Sequence, residues 1–441
     1  MRAEIVTIGD ELCRGEIVDT NSSYLAQRLW DLDITTRWMT SCCDTQDDIT
    51  SALRAAVARA DVVICSGGLG PTEDDLTVDV VARLAGTTPV IDEMSRARME
   101  QFFTRGSAKV HAIQLRQVRV PAGARVLGNP AGLAPGFEQP ISNYPPPPRG
   151  GAAPPSLGGT PPPGADGGAQ GVPVFCLPGI PRELHAIFDS TLGARLAELR
   201  EAAGDVERIA RRIYRAFGRG ESQISQLCRG VVDGVAGATI HYQVKFPETL
   251  VKLVVRDRDQ AAADARLAAM DAEVRERLAG VLYGTGDANL VAVVTQRLIA
   301  GAHTIATAES CTGGLIGELL TSLPGSSAAF VGGAITYSNA EKVRQLGVAE
   351  ATLAAHGAVS EPTVREMAAG ARARFGTELA VAVSGIAGPA GGTPDKPVGT
   401  VWLALAAPGG ITTKELRWPG TRDQIRTLAA WWAIKLIGDA I

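Results

Sequence analysis

From its first residues the chain alternates short apolar runs with amphipathic ones, and that alternation limits its fold more than any other feature. Residues 4–8 read as a strand ending in Gly9, Asp10 and Glu11. Asn21 or Ser22 is placed to cap a helix whose apolar face is Leu25, Leu29 and Leu32, and 34–39 reads as the next strand. Residues 45–60 predict a second helix, with Asp47 and Asp48 in its first turn and Ile49, Leu53 and Val57 as its stripe. A third strand follows over 61–65. Strand, helix, strand, helix, strand at this spacing predicts βαβ units around a mostly parallel sheet. With 441 residues the chain exceeds one ordinary core, so two or three domains are expected.

The third strand runs into SGGLGPTEDDLT. Gly67, Gly68 and Gly70 permit tight backbone geometry, and Pro71 stiffens the turn. With Thr72 they are candidates to hold a phosphate at the start of a helix predicted over 76–84. Asp74 and Asp75, joined by Asp10 if both strands are parallel, are the available oxygen ligands for a hard divalent cation. A helix cap with an acidic first turn explains the same residues without any ligand. Another strand is expected over 115–120. Residues 140–171 are crowded with proline and glycine and lack apolar periodicity, which predicts a disordered or polyproline-like tract. Strand character returns over 172–177, so the tract is an insertion within one domain of residues 1–200.

Residues 206–284 read as a small α+β domain with an antiparallel strand pair, its last helix carrying Ala263, Leu267, Met270, Val274 and Leu278 on one stripe. The final unit, 285–441, holds the densest polar chemistry. A strand over 304–308 ends in Glu309, Ser310, Cys311 and Thr312, and Gly313 and Gly314 lead into an amphipathic segment. Ser326 and Ser327 precede a second strand over 331–336, which delivers Tyr337, Ser338 and Asn339 just before Lys342. Any one of these hydroxyls is explained as a cap or turn former; for the cluster as a whole that explanation is weaker. A strand over 378–383 ends in SGIAGPAGGTPDKPVG, a shaped loop rather than an amphipathic element. Thr421 with Gln424 forms a capping box for the last helix.

Composition narrows the function classes. Net charge is −4, from 43 basic and 47 acidic residues, with no long basic run, so direct nucleic-acid contact is not expected. Seven scattered cysteines without a Cys-x-x-Cys pair, and no apolar leader, predict reduced thiols in a cytoplasmic protein. No apolar run approaches the ~20 residues of a membrane span. The five histidines lie far apart, which disfavours zinc.

These motifs together resemble the bacterial competence/damage-inducible CinA family. GDEL from Gly9, GGLGPTEDDLT from Gly67, NPAGLAPGF from Asn129 and LPGIPRE from Leu177 look like its first domain, which is similar to molybdopterin-binding domains. AESCTGG from Ala308, GSS from Gly325, TYSNAEK from Thr336, GAVSEPTV from Gly357 and SGIAGPAGGTPDKPVGTVW from Ser384 look like its C-terminal domain. Leu133 departs from the threonine common there, and the proline tract is longer than usual. The resemblance implies an α/β fold with a molybdopterin-binding-like parallel-sheet domain, a small α+β domain and an α/β deamidase domain. It implies deamidation of nicotinamide mononucleotide to nicotinate mononucleotide without a cofactor. For some members it also implies hydrolysis of ADP-ribose in the first domain with a divalent metal such as magnesium.

For deamidation, Ser327 is the expected nucleophile, Lys342 its base or electrostatic activator and Tyr337 a proton relay. The choice between Ser326 and Ser327 stays open, and Ser310 is a rival. Ser310, Thr312, Gly313, Gly314 and Asn339 are expected to position substrate, and Gly385, Gly388, Gly391 and Gly392 to hold its phosphate. The expected partners are small-molecule nucleotides and a second copy in a homodimer. A non-enzymatic pterin- or nucleotide-binding protein linked to competence is the alternative from another class.

Overall fold

The computed structural model describes residues 1–105, 111–142, 171–204 and 207–441. It comprises two compact units, Met1–Arg208 and Ile209–Ile441. In the first, the strands Thr35–Cys42, Arg2–Ile8, Val62–Ser66 and Val172–Leu177 lie side by side in that order, all parallel. Gly136–Ile141 and Arg125–Leu127 extend the sheet antiparallel. The central strands are apolar on both faces because helices cover both. Leu25 and Leu29 of Thr20–Asp31 and Leu184 and Ile187 of Pro181–Ile187 pack on one face. Gln46–Arg59 and Thr77–Leu84 pack on the other. The cap of the first long helix is Asp19, not Asn21 or Ser22: its carboxylate accepts the Ser22 N–H at 2.8 Å.

Two local expectations are corrected. The strand expected over 115–120 is mostly a 3-10 helix, Ala112–Val118, and pairing begins only at Arg119–Pro121. The His111 N–H donates to the Gln114 side chain at 2.7 Å, a local bond that favours a turn over a ladder. The insertion also begins later than expected, since Pro140 and Ile141 sit in a strand opposite Pro173 and Val172. Residues 143–170 lie outside the described residues. The flanking residues Ile141 and Val172 are paired across two antiparallel strands, so replacement of 143–170 by an Asn-Gly turn should preserve the fold. Each halving of loop length lowers the closure cost by about 0.6 kcal/mol, so the urea midpoint should hold or rise. A lower midpoint would mean that the tract packs on the domain.

The second unit contains two sheets. Ala238–Lys245, Glu248–Asp257, Arg208–Ala216 and Leu282–Thr285 form one, with the helix Gln260–Leu278 packed on it through the expected stripe. The other runs Phe330–Ile335, Ile305–Glu309, Leu379–Gly385, Thr400–Ala407, Gly410–Arg417, the first three parallel and the rest antiparallel. Leu290–Ala300 and Arg422–Ala440 cover one face, and Glu361–Phe375 covers the other. The predicted capping box at Thr421 and Gln424 is present. The three parallel strands end together at Glu309, Ile335 and Gly385, the edge at which open α/β sheets hold ligands. Among the described residues no helix is long and apolar enough to cross a membrane.

Candidate functional site

At that edge the polar cluster resolves into distinct roles. Glu309 closes its strand with its carboxylate buried, accepting the N–H groups of Gly314 at 2.9 Å, Ile316 at 3.1 Å and Gly317 at 2.9 Å. A carboxylate therefore occupies the start of the helix Leu315–Thr321. The Gly313 N–H donates to the Ser310 carbonyl at 3.1 Å. Neither glycine amide is left for a substrate, contrary to expectation.

Ser310 is anchored through its own N–H to the Val383 carbonyl at 3.0 Å, which fixes its hydroxyl at the strand ends. Lys342 reaches it from the helix Asn339–Leu346, whose cap Ser338 accepts the Glu341 N–H at 3.2 Å. The Lys342 side chain is only 1% exposed. Its Nζ donates to Ser310 Oγ at 3.0 Å, to the Thr336 carbonyl at 2.8 Å and to the Tyr337 carbonyl at 3.5 Å. All three partners are neutral oxygens. Burial without a carboxylate drives the lysine below its usual value, opposed only by the neighbouring Cys311 thiol. Burial pushes Cys311 itself up to about 12, so it is no rival nucleophile at neutral pH.

Ser327 stands apart. It lies exposed on the 3-10 turn Ser326–Ala328, at the amino end of the strand Phe330–Ile335, whereas Lys342 follows the carboxyl end. Six residues of strand span about 20 Å, so the structure does not bring this pair together within one chain. Tyr337 is 60% exposed, and its hydroxyl accepts from Arg422 at 2.9 Å rather than meeting Lys342. Asn339 is exposed at the start of its helix. Thr312 is fully buried, and its hydroxyl has no hydrogen-bond partner among the described residues. In the glycine loop, Gly385 still belongs to the strand ladder opposite Val401. The amides of Gly388, Gly391 and Gly392 make no hydrogen bond among the described residues.

Two residues at this edge escaped the sequence reading. Arg422 donates to the Gly388 carbonyl at 2.7 Å as well as to Tyr337, bridging the glycine loop to the strand end. Arg426 donates to the Thr312 carbonyl at 2.8 Å. Both lie in the first turns of the last helix. Cations there oppose the helix dipole, a signal that they serve something other than the helix.

The first unit holds a cleft of about 520 Å³ whose lining includes Gly67, Gly68, Gly70 and Thr72. Gly67 has φ +112°, and a Cβ there would meet the Ile8 carbonyl, so only glycine closes this turn. Six carboxylates line the cleft, those of Glu11, Asp19, Asp44, Asp74, Asp75 and Glu183, and none of its lining side chains is basic. The expected metal ligands do not converge. The Asp75 carboxylate accepts the N–H groups of Gly70 at 2.7 Å and Thr72 at 2.8 Å and also the Thr72 hydroxyl, so it holds the turn. Asp10 is absent from the lining; it pairs with Arg14 and accepts the Asp44 N–H at 3.2 Å. Among the described residues no group of three or more His, Cys, Asp or Glu side chains is arranged to hold a metal. Asp44, not singled out in the sequence, is pushed up by burial and by the charges of Glu11, Asp10 and Asp74. Leu133 lines a neighbouring hollow of about 470 Å³ instead of this cleft.

Residues 4–198 match the family described as a probable molybdopterin binding domain, 211–284 the damage-inducible protein CinA KH domain, and 287–441 the CinA C-terminal domain. A CinA-like protein of Anaeromyxobacter dehalogenans strain 2CP-1 is 39% identical over 451 residues, spanning 100% of both chains. The chain belongs to the CinA family. Another CinA relative, a putative competence-damage inducible protein of Symbiobacterium thermophilum, is 39% identical over 446 residues, 99% of this chain and 98% of its own. The crystal structure of competence/damage inducible protein CihA from Agrobacterium tumefaciens is 40% identical, covering 34% of this chain and 96% of that one, with a TM-score of 0.33.

Proposed function

We propose that the C-terminal CinA domain deamidates nicotinamide mononucleotide to nicotinate mononucleotide and ammonia, with Ser310 as nucleophile and Lys342 as its base. The observation that carries this reading is the buried Lys342 amine, 3.0 Å from Ser310 Oγ and without an acidic partner. In its neutral form the amine accepts the Ser310 proton as Oγ bonds to the carboxamide carbon. The same proton then passes from Lys342 to the departing nitrogen as the C–N bond breaks, releasing ammonia. Water attacks the resulting ester, gives its proton to Lys342, and the Ser310 oxygen leaves and recovers that proton. No metal or redox cofactor takes part in this sequence.

Arg422 and the free amides of the 388–392 loop are assigned to the substrate phosphate. Arg422→Ala should therefore raise KM for nicotinamide mononucleotide about 10- to 100-fold with kcat nearly unchanged, the pattern of a lost ground-state contact. Nicotinamide riboside, lacking the phosphate, should be turned over equally by both proteins. An equal loss on both substrates would move Arg422 out of the phosphate role.

The acidic cleft of the first unit favours a second reading beside the first. A pyrophosphate entering six carboxylates with no basic side chain is repelled unless a cation accompanies it. We accordingly propose that any ADP-ribose hydrolysis in this unit uses the substrate as its magnesium complex. Chelator should abolish that hydrolysis and leave ammonia release from nicotinamide mononucleotide unchanged; parallel loss of both would refute two separate sites.

A further inference from the structure

The hollow beside the acidic cleft of the first unit carries the opposite charge. Its volume is about 470 Å³, and it shares Gln117 and Glu183 with the cleft. Two guanidinium groups, those of Arg98 and Arg182, line it against the single carboxylate of Glu183. Both arginines are tied to one loop. Arg98, from the helix Glu93–Arg105, donates to the Asn129 carbonyl, and Arg182 donates to the Ala131 carbonyl at 3.0 Å. The loop is itself fixed: Asn129 Nδ2 donates to Glu183 Oε2 at 2.6 Å and to the Ala134 carbonyl at 2.8 Å. A Cβ on Gly132 would collide with the Glu183 carboxylate, so glycine lets the loop close on it. Among the described residues neither Arg98 nor Arg182 has a carboxylate within ion-pair distance. Arg96, on the same helix as Arg98, is by contrast paired with Glu93 at 3.3 Å and Glu100 at 3.0 Å.

We propose that this hollow is a metal-independent anion site, binding the dianionic phosphate of a phosphomonoester between Arg98 and Arg182 and the ester's flat apolar group against Leu133 and Phe102. Each guanidinium carries five N–H donors in a fixed fork and spends one on the loop, which leaves donors matched to phosphate oxygens. Two cations against one carboxylate favour a doubly charged phosphate over a carboxylate or a phosphodiester. The apolar side of the hollow selects the rest of the ligand. Leu133 presents no hydroxyl to the phosphate, and Phe102 lines the hollow while 62% exposed, a ring left open for a flat group to cover. The neighbouring cleft, with six carboxylates, admits an anion only with a cation; the hollow supplies its own positive charge. The assignment stands independently of deamidation and of ADP-ribose hydrolysis.

The test titrates the full-length protein calorimetrically with phenyl phosphate and with inorganic phosphate, in the presence of chelator. Arg422→Ala serves as the background, so that the phosphate contact assigned to the C-terminal unit does not contribute. Saturable binding of phenyl phosphate is expected, and Arg98→Gln and Arg182→Gln should each weaken it tenfold or more, the loss expected of a charged hydrogen bond. Phe102→Ala should weaken phenyl phosphate and leave inorganic phosphate unchanged. No saturable binding, binding that needs magnesium, or equal binding by the double variant Arg98→Gln/Arg182→Gln overturns the proposal. Equal affinity for the two probes overturns the apolar half of the site. If either arginine variant melts early, amide exchange in the unaltered protein decides: phenyl phosphate should slow exchange over residues 131–134, and no change there counts against the site.

Discussion

Replacing Ser310 by alanine is expected to lower kcat for nicotinamide mononucleotide by 10³-fold or more, with KM and Tm close to those of the unaltered protein. A nucleophile's bond to substrate exists only after the ground state, so its loss appears in rate and not in binding. The small change suits the fold, because Ser310 holds its place through a backbone N–H that alanine retains. Ser327→Ala is the matching control. Its hydroxyl lies a strand's length, about 20 Å, from Lys342 of the same chain and should matter less than threefold. Equal loss in both variants would mean that Ser327 enters the site from a second copy, and the assignment within one chain would fail. Ammonia release and intact-mass detection of an acyl-enzyme would read the outcome.

Lys342→Arg should cost as much as Ser310→Ala, since a guanidinium keeps its proton and cannot accept one from Ser310. The pH profile separates base from anchor. Burial lowers the folded lysine from its usual 10.5, and catalysis needs its neutral form. The deamidation rate should then rise tenfold per pH unit on the acid side and level off above the lowered value. Stability follows the same sign. Between the folded and unfolded lysine values the unfolded chain binds more protons, so this residue makes stability increase with pH across that window. Below the window the buried ammonium weakens the fold by a constant amount. Lys342→Met should remove that slope. A rate flat with pH, together with an active arginine variant, would leave Lys342 as a positive anchor only.

The helices that repeat apolar positions regularly were legible in the sequence alone. Ile49, Leu53 and Val57 on one stripe, Ala263 to Leu278 on another, and the capping box at Thr421 are local patterns that tertiary packing had no reason to overrule. The failures share a cause. Gln114 closes a turn on His111 and starts a 3-10 helix that runs into the expected strand, and Asp75 closes a turn on Gly70 where a metal ligand was expected. In each, a side chain satisfied neighbouring backbone groups, a competition that residue type alone does not decide.

What the sequence determined by itself is therefore the α/β class and the presence of serines, a lysine and glycine loops near strand ends. These follow from periodicities of two and 3.6 and from glycine placement, which act over a few residues. Which serine meets Lys342 was decided only in three dimensions. Ser310 and Lys342 are 32 positions apart, while Ser327, 15 positions away, is held off by an extended strand. Parallel pairing aligns strand ends distant in sequence, and an extended strand separates near neighbours by about 3.3 Å per residue. The same closure of the sheet brought Arg422 to Tyr337 across 85 positions and buried the Lys342 amine, and burial, unlike residue type, is a property of the packed chain alone.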